Sequence, residues 1–108
     1  MDIYNSIQPA DFLKIYEKGA TETELVIDVR EPAEWDYYHL ERSELLPMNT
    51  IPENLENLPK EKTLYVICAH GVRSRHVCQY LSRAGFNRLV NVDGGMAAVA
   101  ELKGFQYD

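Results

Sequence analysis

Hydrophobic positions along the chain fall into two periods, helical and extended, and their alternation predicts the elements. "PADFLKIYEKG" places Phe12, Leu13 and Tyr16 at helical spacing. Pro9 suits the first turn of that helix, and Gly19 suits the turn just past its end. "ELVIDV", residues 24–29, is a short apolar run of strand length. Pro32 opens "PAEWDYYHL", a short helix with Glu31 and Glu34 near its positive end. "SELLPM" reads as a brief strand, and "TIPENLENLPK" as a turn with one or two helical turns, broken at Pro52 and Pro59. "TLYVIC", residues 63–68, is the clearest buried strand. After a short loop, a helix starting around Arg73 or Ser74 carries Val77, Cys78, Leu81 and Ala84 on one stripe and closes at Gly85. "RLVNV" is a further strand, "GGMAAVAEL" a turn entering a small helix, and "KGFQYD" a tail.

Strands that alternate with helices, with central strands apolar almost throughout, predict a mostly parallel sheet covered on both faces. Ligands of such sheets sit beyond the carboxyl ends of the strands. Cys68 falls at one of these ends, and Asp28 and Asp93 close to two others.

A chain of 108 residues is enough for one domain, expected to span residues 1–108, and too short for two ordinary ones. Its 45% hydrophobic content supplies a core, and its 26% charged residues are spread along the chain. The formal net charge of -6 argues against nucleic acid as a general partner, which needs a broad basic surface. A local anion site needs only one loop and one or two cations. No apolar run approaches membrane-spanning length, so no membrane partner is expected, and a soluble, reducing cytoplasmic setting is the default. Two cysteines exclude a disulfide-rich scaffold, and neither they nor the three histidines have zinc-ligand spacing. A strand-to-helix turn between Cys68 and Cys78 disfavours a disulfide between them. No metal or organic cofactor is expected.

Cys78 shares its stripe with Leu81 and reads as core. Cys68 admits packing too, but it ends its strand and meets "AHGVRS". Gly71 permits a backbone conformation that a side chain would forbid. The loop can then turn several N–H groups toward one point, and the following helix aims its unpaired N–H groups there as well. Such a nest favours negative charge and predicts a solvent-reachable, nucleophilic thiolate at Cys68. Arg73 adds a cation that can pair with the thiolate, an anionic substrate or Glu31. His70 is expected on the rim rather than acting as a base. Ser74 is expected to cap the helix. Asp28 is expected to tie down backbone or the loop arginine. Arg30 either draws in anions or pairs with Glu31 or Glu34.

The ordered segments "VIDVREPAEWDYYHL", "LYVICAHGVRSRHVCQYLSRAGF" and "LVNVDGGMAAV" resemble the rhodanese-like sulfurtransferases over almost the whole chain. The resemblance implies a small α/β domain with a parallel, about five-stranded sheet and helices on both faces. It implies that Cys68 accepts a sulfane sulfur as a persulfide. Ala69, His70, Gly71 and Val72 would line the cradle with amides, Arg73 would complete it, and Ser74 would follow in the same loop. Asp28 and Arg30 would support it from the neighbouring strand end. The implied partners are a small anionic donor such as thiosulfate and a thiol or cyanide acceptor. The spacing from Cys68 to Arg73 is C-x4-R, one residue shorter than in related dual-specificity phosphatases, which disfavours a cysteine phosphatase or arsenate reductase. A sulfur-relay or regulatory module that acts with an acceptor protein is the other reading, with Trp35, Tyr37 and Tyr38 as a docking rim or as ordinary packing. "YHLERSEL" departs from the family's usual "GHIPGA" at Tyr38, Glu41 and Arg42, and Val99 stands where tryptophan is frequent. Both are expected to alter packing or rim and to leave the cysteine loop intact.

Overall fold

The computed structural model describes residues 3–19 and 22–107. Five parallel strands form one sheet: β1 (Asn5–Ile7), β2 (Glu24–Asp28), β3 (Glu44–Leu45), β4 (Thr63–Ile67) and β5 (Leu89–Val92), in the spatial order β1-β5-β4-β2-β3. Four α-helices connect or follow them: α1 (Pro9–Glu17), α2 (Pro32–Tyr37), α3 (Val72–Arg83) and α4 (Gly95–Leu102). Two 3-10 segments, Met48–Thr50 and Pro52–Asn57, fill the link between β3 and β4. The fold is thus the parallel α/β sheet that the hydrophobic pattern predicts. β1 is the exception. Its three residues are largely exposed and form no apolar run, so the pattern gave no sign of it.

Alternation along the strands divides the core into two layers. Leu64, Val66 and Cys68 join Ile27, Val77, Cys78, Leu81 and Leu89 on the α3 face. Tyr65, Ile67 and Ala69 join Phe12, Val26, Val92, Met96 and Val99 on the face covered by α1 and α4. The tail does not hang free. Phe105 and Tyr107 pack against the second layer, and Tyr107 is buried.

The "YHLERSEL" segment turns on side-chain contacts to α1. Arg42 stacks over the Tyr16 ring at 4.4 Å and donates to the Tyr16 carbonyl at 2.7 Å, while the Arg42 N–H reaches the Tyr16 hydroxyl at 3.0 Å. Val99 is fully buried, so its difference from tryptophan is one of packing.

Candidate active site

The site begins with a change of direction. β4 ends at Ile67, and Gly71, at φ 96°, forms the N-cap of α3. The helix therefore starts at Val72, slightly earlier than its sequence suggests. Ser74 does not cap it. Lying within the first turn and fully buried, Ser74 faces the thiol instead.

Two carbonyls fix the loop from behind. Met96 N–H donates to the Cys68 carbonyl at 2.7 Å, and Ala97 N–H to that of Ala69 at 3.0 Å. These are orphan donors of the first turn of α4, so the loop satisfies the helix while the helix orients the loop. The approach requires Gly95, which sits at φ 62°. A Cβ there would collide with the Cys68 carbonyl oxygen and stand 2.6 Å from that of Ala69.

With these carbonyls turned toward α4, an amide faces the sulfur. Gly71 N–H donates to Cys68 Sγ at 3.1 Å, the one loop amide to do so among the described residues. The Cys68 thiol in turn donates to Ser74 Oγ at 3.4 Å. Cys68 is 1% exposed, so the expected solvent-reachable thiol is instead sunk beneath its loop. The cause is the strand's alternation, which carries Cys68 into the layer of Leu64 and Val66. His70 and Val72 are exposed around the loop, and Ala69 is buried on the opposite face.

Arg73 forms a two-pronged ion pair with Glu34 of α2, 2.8 Å on each arm, and not with Glu31. The hydrogen bonds to Arg73 hold the Glu34 carboxyl down at about 2 despite partial burial, and the same bonds raise Arg73 above its ordinary value. Glu34 had no assigned place in the loop from sequence, because its partner is far away along the chain.

Asp28 and Arg30 lie on the α4 face of the sheet, two residues apart and fully buried. Asp28 accepts from Arg30 Nε at 2.8 Å and Nη2 at 2.6 Å. Arg30 also donates to the Glu34 and Tyr38 carbonyls and, at 3.0 Å, to the Tyr107 hydroxyl. Its five donors are therefore all engaged. The pair braces α2 and the tail against the sheet. Arg30 forms no ion pair with Glu31 or Glu34; it touches Glu34 only through the backbone.

Cys78 and Cys68 are both free thiols. Burial pushes the Cys78 thiol up to about 12, with the nearby Cys68 adding to the effect. Around the site's edge, Tyr38 stacks on Phe105, Tyr37 bonds the Tyr107 carbonyl at 2.7 Å, and Trp35 stacks on His39 at 3.9 Å. Tyr37 remains exposed. Among the described residues, no group of three or more His, Cys, Asp or Glu could hold a metal. No helix among them is long and apolar enough to cross a membrane.

A parallel α/β sheet with a cysteine loop feeding a helix N-terminus defines a class of small cysteine-loop domains. The comparisons identify which: the rhodanese-like domain family matches residues 8–102, and the chain belongs to it. A sulfurtransferase of Allochromatium vinosum is 36% identical, covering 74% of this chain and 75% of its own. The thiosulfate sulfurtransferase GlpE of Pseudomonas syringae is 30% identical, over 88% of this chain and 86% of its own. A protein of Mycobacterium tuberculosis described as "Probable adenylyltransferase/sulfurtransferase MoeZ" is 38% identical over 70% of this chain, which spans only 20% of that protein. Among solved structures, a rhodanese-related protein of Thermoplasma volcanium superimposes with TM-score 0.79 at 36% identity, covering 94% and 95% of the two chains. A rhodanese-like domain protein of Staphylococcus aureus gives 0.77 at 38%, covering 88% and 90%.

Proposed function

We propose that the protein moves a sulfane sulfur from thiosulfate, or a donor like it, to a nucleophilic acceptor through a persulfide on Cys68. The observation that carries this reading is the Gly71 N–H held 3.1 Å from Cys68 Sγ at the start of α3. An amide and a helix N-terminus at that point favour a sulfur that bears charge. In the first step the Cys68 thiolate attacks the outer sulfur of thiosulfate. The S–S bond of the donor breaks, its electron pair leaves with sulfite, and Cys68 carries the persulfide with its negative charge. In the second step the acceptor, cyanide or a thiolate, attacks the terminal sulfur and returns Cys68 as thiolate. Because Cys68 itself is sunk beneath the loop, the terminal sulfur is the atom an acceptor meets. Ala69, His70, Gly71, Val72, Arg73 and Ser74 form the substrate loop in this reading, and Asp28 and Arg30 support it from the other face of the sheet. A relay role, with an acceptor protein docking on the rim, shares the same first step.

Intact-mass measurement after thiosulfate treatment tests the reading. One added sulfur, about 32 Da, is expected on the reduced protein and none on Cys68→Ser. Folded, reduced protein that gains no sulfur from thiosulfate or other sulfane donors overturns it. A cyanide-dependent turnover assay, run beside a phosphatase assay, separates it from phosphate chemistry.

A further inference from the structure

Behind the thiol runs a file of polar side chains that ends at the surface. Ser74 Oγ donates to Asn91 Oδ1, Asn91 Nδ2 donates to Asp93 Oδ1 at 3.0 Å, and Gln8 Nε2 donates to Asp93 Oδ2 at 3.2 Å. Ser74 and Asn91 are fully buried. The alternation of β5 explains why Asn91 is there. Leu89 lies on the α3 face, so Asn91, two residues on, shares it and pairs in register with Val66.

The direction of the file follows from chemistry. An ionised carboxylate only accepts hydrogen bonds, so Asp93 forces the Asn91 amide to turn its NH2 outward. The Asn91 oxygen must then face Ser74. A serine hydroxyl has one hydrogen, and that hydrogen goes to Asn91, which leaves an oxygen lone pair toward Cys68. The resting arrangement is therefore matched to a protonated, neutral sulfur. When the sulfur is charged, the same hydrogen has a second and stronger acceptor 3.4 Å away.

We infer that Asn91 and Asp93 are positioning residues that make the Ser74 hydroxyl a two-position donor, parked on Asn91 while Cys68 Sγ is neutral and turned to Sγ when it is a thiolate. No bond is made or broken; one hydroxyl rotates. Given the persulfide reading proposed above, Cys68 Sγ is neutral while it carries the outer sulfur and regains charge as the acceptor removes it. Ser74 thus supplies its hydrogen to the leaving group of the second step. The other titratable groups in reach of Sγ are Arg73 and Cys78 on α3, with His70 on the loop rim. Tyr107 meets the His70 ring edge-on at 6.3 Å and acts on Arg73, so it borders the loop, whereas the Asp28–Arg30 pair belongs to the opposite face.

The test is a cycle read by the pH dependence of Cys68 alkylation with iodoacetamide, with the modified residue located by mass spectrometry and folding checked by near-UV circular dichroism. Asn91→Ala removes the competing acceptor without changing charge. It should move the alkylation midpoint to lower pH, raising reactivity below the midpoint on the order of tenfold. Ser74→Ala should move it to higher pH, and adding Asn91→Ala to Ser74→Ala should have no further effect. Asp93→Ala, nearer the surface, frees the Asn91 amide to flip and should act like Asn91→Ala in the same cycle, so the proposal is testable if Asn91→Ala does not fold. Equal shifts with and without Ser74, or folded variants with unmoved profiles, overturn it. The alkylation readout needs no sulfur donor, so its failure and that of the sulfur-transfer reading are separate results.

Discussion

Arg73 and Glu34 face each other fork to fork, tying the first turn of α3 to α2 at the mouth of the cysteine loop. Glu34 accepts from Glu31 N–H at the same time, at 2.9 Å, so one carboxylate closes a helix start and anchors the loop arginine. The Arg73 guanidinium is thus held in place by α2.

Glu34→Gln keeps an oxygen for the Glu31 N–H and removes the ion pair. Both side chains are about one-third exposed, so solvent screening limits the loss to about 1 kcal/mol at neutral pH. Glu34 has its folded value lowered to about 2. Its contribution is therefore present above the unfolded carboxyl range, near 4.5, and fades as pH falls toward 2. Urea denaturation at stepped pH should show the two proteins converging over that window.

Gly95→Ala forces a methyl against two backbone carbonyls and into a left-handed conformation. Backbone cannot swing aside as a flexible side chain can. A loss of about 2–5 kcal/mol is expected from strain and overpacking together, read as a lower denaturation midpoint. Sulfur loading should fall with it, since the loop rests on this contact.

Cys78 should resist alkylation in the folded protein and react only on unfolding, because burial holds its thiol at about 12. Cys78→Ala should cost about 1–2 kcal/mol for the lost packing. Cys78→Ser should cost at least as much, because it sets a hydroxyl in an apolar layer. Both should still load sulfur. A folded Cys78 variant that loads but cannot discharge would identify Cys78 as a resolving thiol.

Tyr107→Phe removes one acceptor from Arg30 and should cost about 1–2 kcal/mol by thermal or chemical denaturation. Arg30→Ala leaves Asp28 buried and unpaired, and should cost about 3–5 kcal/mol. If Arg30 instead served to attract anions, its loss would weaken donor binding at unchanged stability.

The sequence made β2, β4, β5 and α3 legible because their apolar periodicity is set by local burial. It also pointed to the cysteine loop, since a strand-end thiol followed by glycine and arginine is a compact local signal. What stayed hidden depends on distance along the chain. Glu34 meets Arg73, Asn91 meets Ser74, and Tyr107 meets Arg30 only after the sheet has assembled. The burial of Cys68 was available in principle from the alternation with Leu64 and Val66, but its place at the strand end suggested exposure. Serine often caps helices, so Ser74 reads as a cap, whereas the N-cap is Gly71, three residues earlier.

The donors from Met96 and Ala97 to the Cys68 and Ala69 carbonyls set an order of events during synthesis. A ribosome releases the thiol well before the glycine pair and the helix that shape its surroundings. Until α4 docks, the Cys68 and Ala69 carbonyls lack the two donors that orient the loop around the thiol. On the proposed reading, sulfur loading therefore waits for α4 to dock, and a chain stalled before that helix has little means to acquire sulfur prematurely.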